Sequence, residues 1–215
     1  MSNGVVELFN KYYVRYDEWY VRNHNIALSE RLCIEALAPH GRVLDIGVGT
    51  GYLTQGLSKT MIGVDPADKP LILASSRGFL TIRSYGEELP FRDSCFDTVL
   101  LVVTICFVDD PVKLLSEAYR VLKPGGRVIV CIVPRDSSWG QYYIMKKLRG
   151  ESIFYEYARF YTVDEVVEML SSRGFRVKRY CSTLTYKPPD PGYIEYPVLA
   201  RIEDAGFTCI EAVKQ

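Results

Sequence analysis

The chain has 215 residues, enough for one sizeable hydrophobic core, and its 48% hydrophobic and 24% charged content is that of an ordinary globular protein. Lys plus Arg and Asp plus Glu both number 26, so the zero net charge calls for neither a nucleic-acid backbone nor an anionic membrane as partner. No apolar run approaches the ~18 residues of a membrane span, and MSNGVVELFNKYY has no basic stretch leading into a long apolar core, so no signal peptide is expected and the location is read as cytoplasmic.

Residues 5–20 read as an aromatic-rich helix. Residues 25–38 (NIALSERLCIEALA) put Ala27, Leu28, Leu32, Cys33, Ala36 and Leu37 near one helical face, and Pro39-His40-Gly41 stops the run. A different rhythm follows. RVLDI (42–46) is a short apolar strand, GYLTQGLS (51–58) a helix, MIGVD (61–65) a strand, 66–77 helix or loop, and FLTIR (79–83) a weaker strand. FDTVLLVVT (96–104) is a continuous β-branched run suited to burial on both faces. Residues 109–123 form a helix that Asp110 can cap and Pro111 can begin; Pro124-Gly125-Gly126 ends it, and 127–133 is a strand. Residues 162–174 are a helix, while 175–183 and 206–214 read as two late antiparallel strands separated by a loop with four prolines. The alternation predicts an α/β fold: a doubly wound, mostly parallel sheet with an antiparallel C-terminal strand pair. One domain over 1–215 is expected, with 1–24 as an N-terminal lid and 135–161, which lacks clear periodicity, as an inserted acceptor lobe.

The stretch VLDIGVGTG (43–51) places a glycine turn after the first strand of this alternation, at the carboxyl edge where open sheets bind ligands. Asp65 ends the next strand, at the spacing of an acidic side chain that accepts from ribose hydroxyls. Asp45, however, sits beside the turn. A pyrophosphate there would meet a like charge, and two unit charges 4 Å apart repel by about 4 kcal/mol even at an effective dielectric of ~20. The glycines are also spaced G-x-G-x-G rather than G-x-G-x-x-G. The pattern selects a nucleoside with a cationic, phosphate-free end, as in S-adenosylmethionine (SAM).

VLDIGVGTG, GVDPA (63–67), GEELPFRDSCFDTVL (86–100) and EAYRVLKPGGRVIV (117–130), in this order, resemble class I SAM-dependent methyltransferases of Rossmann-like fold. The similarity is greatest to the small-molecule branch that includes ubiquinone/menaquinone-biosynthesis-like enzymes, and it is strong over about residues 40–133. The resemblance implies SAM as cofactor and a small-molecule acceptor. It implies that the turn Gly47, Val48 and Gly49 passes under the methionine end with Asp45 steering its ammonium. It further implies that Asp65 and Pro66 lie at the ribose, Gly86 and Glu87 along the adenine edge, and Val103 and Thr104 near the transferred methyl. Relatives often carry an Asp before the Gly-Glu pair; here that position is Tyr85, which leaves adenine to backbone, Glu87 or stacking.

Methyl transfer by in-line displacement chiefly needs positioning and desolvation, and a general base only for a protonated acceptor. No catalytic triad is present. His40 lies at the amino edge, away from the ligand. His24 precedes a helix running back from the active edge and is a candidate base, against the commoner role of an exposed loop histidine. Aromatics crowd residues 9–20 and 139–161, outside the alternating core. They suit either a lid over the donor and acceptor or a satellite core, and Tyr16 is the foremost candidate for contact with either ligand. Asp109-Asp110-Pro111 is a helix cap before it is a metal site, Glu87-Glu88 would point to opposite sides of an extended strand, and KKLRG (146–150) reads as a solvated face that could also greet an acidic acceptor. The six cysteines (Cys33, Cys95, Cys106, Cys131, Cys181, Cys209) hold no CxxC pair, so no zinc spacing exists; they are expected to be small buried thiols in a reducing cytosol. Two other readings stay open: a SAM-binding partner protein without catalysis, and an NAD-dependent oxidoreductase.

Overall fold

The computed structural model describes residues 1–189 and 192–215. Its strands β1 (Val43–Ile46), β2 (Met61–Asp65), β3 (Leu80–Arg83), β4 (Phe96–Val102), β5 (Leu122–Ile132), β6 (Phe175–Thr183) and β7 (Phe207–Lys214) form one sheet in the order β3-β2-β1-β4-β5-β7-β6. All pairings are parallel except β5 with β7 and β7 with β6. Six α-helices accompany them among the described residues: α1 (Asn3–Arg22), α2 (His24–Ala36), α3 (Asp68–Ser76), α4 (Pro111–Val121), α5 (Ser138–Leu148) and α6 (Val163–Ser172). This is the doubly wound fold that the alternation predicts.

Two apolar layers cover the sheet, and the strand period of two distributes side chains between them. On β4, Val99 and Leu101 face α4 and α6, where Leu114, Leu115, Val166 and Leu170 are fully buried. Leu100 faces the opposite layer with Cys33, Ile34 and Leu37 at the α2 end, Ala74 of α3 and Trp139 of α5. Each such side chain contributes roughly 1.5–3 kcal/mol by leaving water. Local signals set the helix ends. Asp110 accepts from Lys113 N–H at 2.9 Å with Pro111 in the first turn, and Thr162 and Glu165 form a reciprocal capping box on α6.

Several expectations change. Residues 51–58 are turns, not a helix: Gly51 and Gly56 both take φ +72°, which no continuing helix allows, and the backbone bonds formed within the segment are isolated ones, Gln55 N–H to Gly51 C=O at 3.0 Å and Leu57 N–H to Thr54 C=O at 3.3 Å. α4 ends at Val121, before Pro124-Gly125-Gly126. Strand β5 already starts at Leu122, opposite Phe96, and the register jumps to Arg127 opposite Thr98, so Lys123–Gly126 bulge. The buried face of α2 is Ile26, Ala27, Ser29, Glu30, Cys33 and Ile34, with Leu28 and Leu32 only half-buried. The segment 135–161 contains α5 and a short 3-10 turn at Tyr155–Tyr157. The cysteines are not all thiols: Cys131 and Cys209 stand opposite each other on β5 and β7, with Cα atoms 3.9 Å apart, and are joined as a disulfide. Of the four prolines in the late loop, Pro191 lies outside the described residues. No helix among the described residues is long and apolar enough to cross a membrane.

Candidate active site

Strand order reverses at β1, which pairs with β2 on one side and β4 on the other, so the crevice above their carboxyl ends is where this topology binds ligands. The glycine turn caps it. Gly47 and Val48 N–H both donate to Val64 C=O, at 2.8 and 3.1 Å. Gly47 takes φ +71°, and a Cβ there would lie 2.3 Å from Thr104 Cγ2, so no larger residue fits. The buried Thr104 Oγ1 in turn donates to Ile46 C=O at 2.9 Å, which clamps the end of β4 to the end of β1 and commits its hydrogen to structure.

Two buried carboxylates face the crevice. Asp65 Oδ2 accepts from Gly49 N–H at 3.0 Å and Oδ1 from Ala67 N–H at 2.9 Å. Burial pushes its pKa up to about 6, with these bonds opposing. Asp45 Oδ2 accepts from Thr54 Oγ1 at 2.5 Å; burial pushes its pKa up to about 7, the Thr54 bond opposes, and the Asp65 charge adds to the rise. A cavity of about 50 Å³ lies between them, also bordered by Gly47, Val48 and Gly49 and by Val103 and Thr104. No Lys, Arg or His side chain lines it among the described residues. Such a donor set fits a cationic ligand and would repel a diphosphate. A Cβ built on Gly49 meets nothing within 4 Å, so the turn has open space over it for a close-lying group.

Other expected residues are placed differently. Pro66, Gly86 and Glu87 border neither this cavity nor the larger one described below. Gly86 packs against Ile46 and Leu114, where a Cβ would come within 2.7 Å of both. Glu87 and Glu88 lie in a turn, not on an extended strand. Glu87 Oε1 accepts from the Met1 ammonium at 2.7 Å while its buried Oε2 has no partner; Glu88 is exposed and pairs with Lys113. Met1 itself borders the small cavity. Tyr85 is 40% exposed. His24 and His40 are both exposed and border neither cavity.

A second cavity, of about 260 Å³, adjoins the first; Tyr16, Tyr20, Val103 and Phe107 border both. Much of its wall comes from the two aromatic segments, joined by Glu30 of α2, Val103 and Phe107 after β4, and Ile132 and Val133 at the end of β5. Tyr16 meets Phe9 and Phe154 edge-on at 5.3 and 5.2 Å between centroids, and Tyr143 and Tyr155 lie 4.6 Å apart. Tyr16 and Tyr20 share a hydroxyl–hydroxyl bond of 2.9 Å, and burial drives both phenols upward, which keeps them neutral. Val103 sits on the shared wall with φ +52°, a left-handed conformation that costs a β-branched residue of order 1–3 kcal/mol and recurs at functional sites. Sequence reasoning missed Glu30, which lines this cavity at 5% exposure, and Thr54, the partner of Asp45. Among the described residues, no group of three or more His, Cys, Asp or Glu is placed to hold a metal.

A seven-stranded sheet of this order, with acidic residues ending β1 and β2 beside a glycine turn, defines the class I nucleoside-binding methyltransferase fold. A family model described as "Methyltransferase domain" matches residues 44–130. An uncharacterised protein of Methanocaldococcus jannaschii is 36% identical, over 97% of this chain and 100% of that one. A crystal structure of a SAM-dependent methyltransferase from Thermotoga maritima, described as a possible histamine N-methyltransferase, superposes with TM-score 0.91 at 36% identity, covering 98% of this chain and 100% of that chain. A demethylmenaquinone methyltransferase of Tropheryma whipplei is 32% identical over 62% of this chain and 66% of its own length. The chain belongs to the SAM-dependent methyltransferase family; it is a methyltransferase, and its cofactor is S-adenosylmethionine.

Proposed function

We propose that the protein transfers a methyl group to a small-molecule acceptor held in the 260 Å³ cavity, from a donor held above the glycine turn. The observation that carries this reading is the shared wall: Tyr16, Tyr20, Val103 and Phe107 each face both spaces, so ligands in the two would meet there. SAM supplies a methyl activated by a sulfonium that leaves as a neutral thioether.

The chain's own residues would bind, orient and dry the site. Asp45 would hold the methionine ammonium and Asp65 the ribose diol, each carboxylate exchanging a water-poor setting for charge-assisted hydrogen bonds. Gly47, Val48 and Gly49 would underlie the methionine end. Pro66, Gly86 and Glu87 would shape the adenine side from behind the cavity wall. Val103 and Thr104 would fix the end of β4 against the reacting centre. α1, within the expected 1–24 lid, and the 135–161 lobe would exclude water. Tyr16 is the aromatic best placed to touch both ligands, and its buried phenol donates or accepts a hydrogen bond rather than acting as a base at neutral pH.

The name given to the Thermotoga relative puts small amines among the acceptors that this reading covers. The test is a methyl-donor turnover assay across a metabolite panel of amines, phenols, thiols and carbon acids. Turnover of one class well above the rest supports the reading. No turnover on any small molecule, with turnover on a protein or nucleic acid, overturns it.

A further inference from the structure

We propose that the acceptor is a small amine and that Glu30 is both its anionic anchor and the group that takes its proton. This rests on the preceding reading of the larger cavity as the acceptor site and names the chemistry that site selects.

Glu30 lies on the buried face of α2, 5% exposed, and lines the cavity. No hydrogen bond or ion pair reaches it from any described residue. Carboxylates are almost never buried this deeply without a partner, because removing the charge from water costs several kcal/mol. Burial alone pushes its pKa up to about 8, with no neighbouring cation to pull it back. The fold provides the acid and leaves its partner to come from outside.

The groups around it define that partner. Tyr16 and Tyr20 of α1, Tyr143 of α5 and Tyr155 beside it all sense the Glu30 charge, and burial drives each phenol upward. Cys33, one turn along α2, is likewise driven upward, and Cys106 on the cavity wall is pushed up to about 12. All six are neutral at physiological pH, so within this cavity the interior group that titrates there is Glu30, while Asp45 and Asp65 titrate in the adjoining one. The mouth carries Arg15, Arg22, Lys146, Arg159 and Glu151. Arg22 is paired with Glu18, and all but the half-buried Lys146 are exposed. Exposed charges are screened by salt within about 8–10 Å, whereas a buried carboxylate is not, so the interior sign dominates at the bound ligand. Neutral aromatic faces around one anion form the setting that attracts an ammonium.

The chemistry balances. An ammonium has no lone pair, so one N–H proton passes to the Glu30 carboxylate. The freed nitrogen pair forms the new N–C bond as the methyl–sulfur bond breaks, and that bond's electron pair stays on sulfur. Glu30 then releases its proton to water at the cavity mouth. A carboxyl poised near neutrality in the free protein suits this exchange.

The test is calorimetric titration with 2-phenylethylamine and its neutral isostere 2-phenylethanol, in the presence of S-adenosylhomocysteine, on the wild type and on Glu30→Gln. The expected result is a wild-type preference for the amine that falls at least tenfold in the variant, with affinity for the alcohol unchanged within twofold. The acid limb of the wild-type pH–binding profile should also be lost in the variant. Amine affinity unchanged by Glu30→Gln, or equal wild-type affinity for both compounds, overturns the inference. A parallel titration with S-adenosylhomocysteine alone separates the two levels. If it binds and the amine does not, the Glu30 assignment fails alone; if it does not bind either, the reading of the site fails as well.

Discussion

Asp65 Oδ2 accepts a hydrogen bond from the backbone N–H of Gly49 at 3.0 Å, so the carboxylate that ends β2 holds the glycine turn that follows β1. One side chain thus shapes the floor of the small cavity and presents acceptor lone pairs to it. Asp65→Ala is expected to weaken binding of S-adenosylhomocysteine at least tenfold, about 1.4 kcal/mol or more, with Asp65→Asn between the two. Calorimetric titration of the three proteins checks this, and equal affinities would show that the ribose lies elsewhere.

Asp45 is expected to give SAM binding a pH dependence. Its pKa is about 7 without a cation, and a bound ammonium favours the ionised form. SAM affinity should therefore fall as pH drops below 7, by about tenfold between pH 8 and pH 6, and Asp65, at about 6, should add a smaller loss at the acid end. In Asp45→Asn the upper part of this slope should vanish. A wild-type affinity flat from pH 6 to 8 would contradict the assignment.

Glu30 makes the opposite kind of statement about stability. Its folded pKa is raised from 4.5 to about 8, so its contribution to stability is fully present below about 4.5 and is lost as pH rises through about 8. Glu30→Gln removes that loss. Thermal melts of the free protein should nearly coincide at pH 4.5, while at pH 9 the variant should be more stable by on the order of a few kcal/mol. A variant less stable than wild type at pH 9 would mean that the carboxylate has a partner in the fold.

Much of this was legible in sequence, for identifiable reasons. β1, β2 and β4 are buried on both faces, so their apolar runs are continuous, and the glycine turn with Asp45 and Asp65 occupies fixed places in that pattern. The antiparallel pair β6 and β7 showed its alternation. What failed depended on tertiary placement. The turn region 51–58 has helix-like spacing, but Gly51 sits over the Phe79 ring, which a Cβ would approach to 2.7 Å, and takes a left-handed conformation there. Cys131 and Cys209 are paired by the β5–β7 register, which a sequence separation of 78 hides. Glu30 escaped because an apolar count along α2 favours the face with Leu28 and Leu32; a charged residue on the buried face is visible only once the aromatic wall is in place. Gly86 and Glu87, matched by motif, border neither cavity, and Ile46 and Leu114 fill the space beside Gly86.

One ion pair ties α1 to the rim of the glycine turn. Asp17 takes a two-pronged ion pair from Arg77 at 2.7 and 2.8 Å, and the same guanidinium donates to Thr50 C=O at 2.7 Å, beside the glycine turn. Both side chains are partly shielded, 14% and 19% exposed, so the pair should contribute more than an open surface bridge. Asp17→Asn is expected to speed amide exchange over residues 3–22 and to weaken SAM binding several-fold, with a stability loss of about 1 kcal/mol. Unchanged exchange in α1 would show that other contacts hold the helix.

The deciding property of the site is charge: the crevice above β1 and β2 is expected to accept a cationic, phosphate-free nucleoside. Its most direct measurement is a calorimetric comparison of SAM with NADH on the wild-type protein at pH 8. Saturable one-to-one heat with SAM and none with NADH is the expected result. Saturable heat with NADH and none with SAM would contradict it.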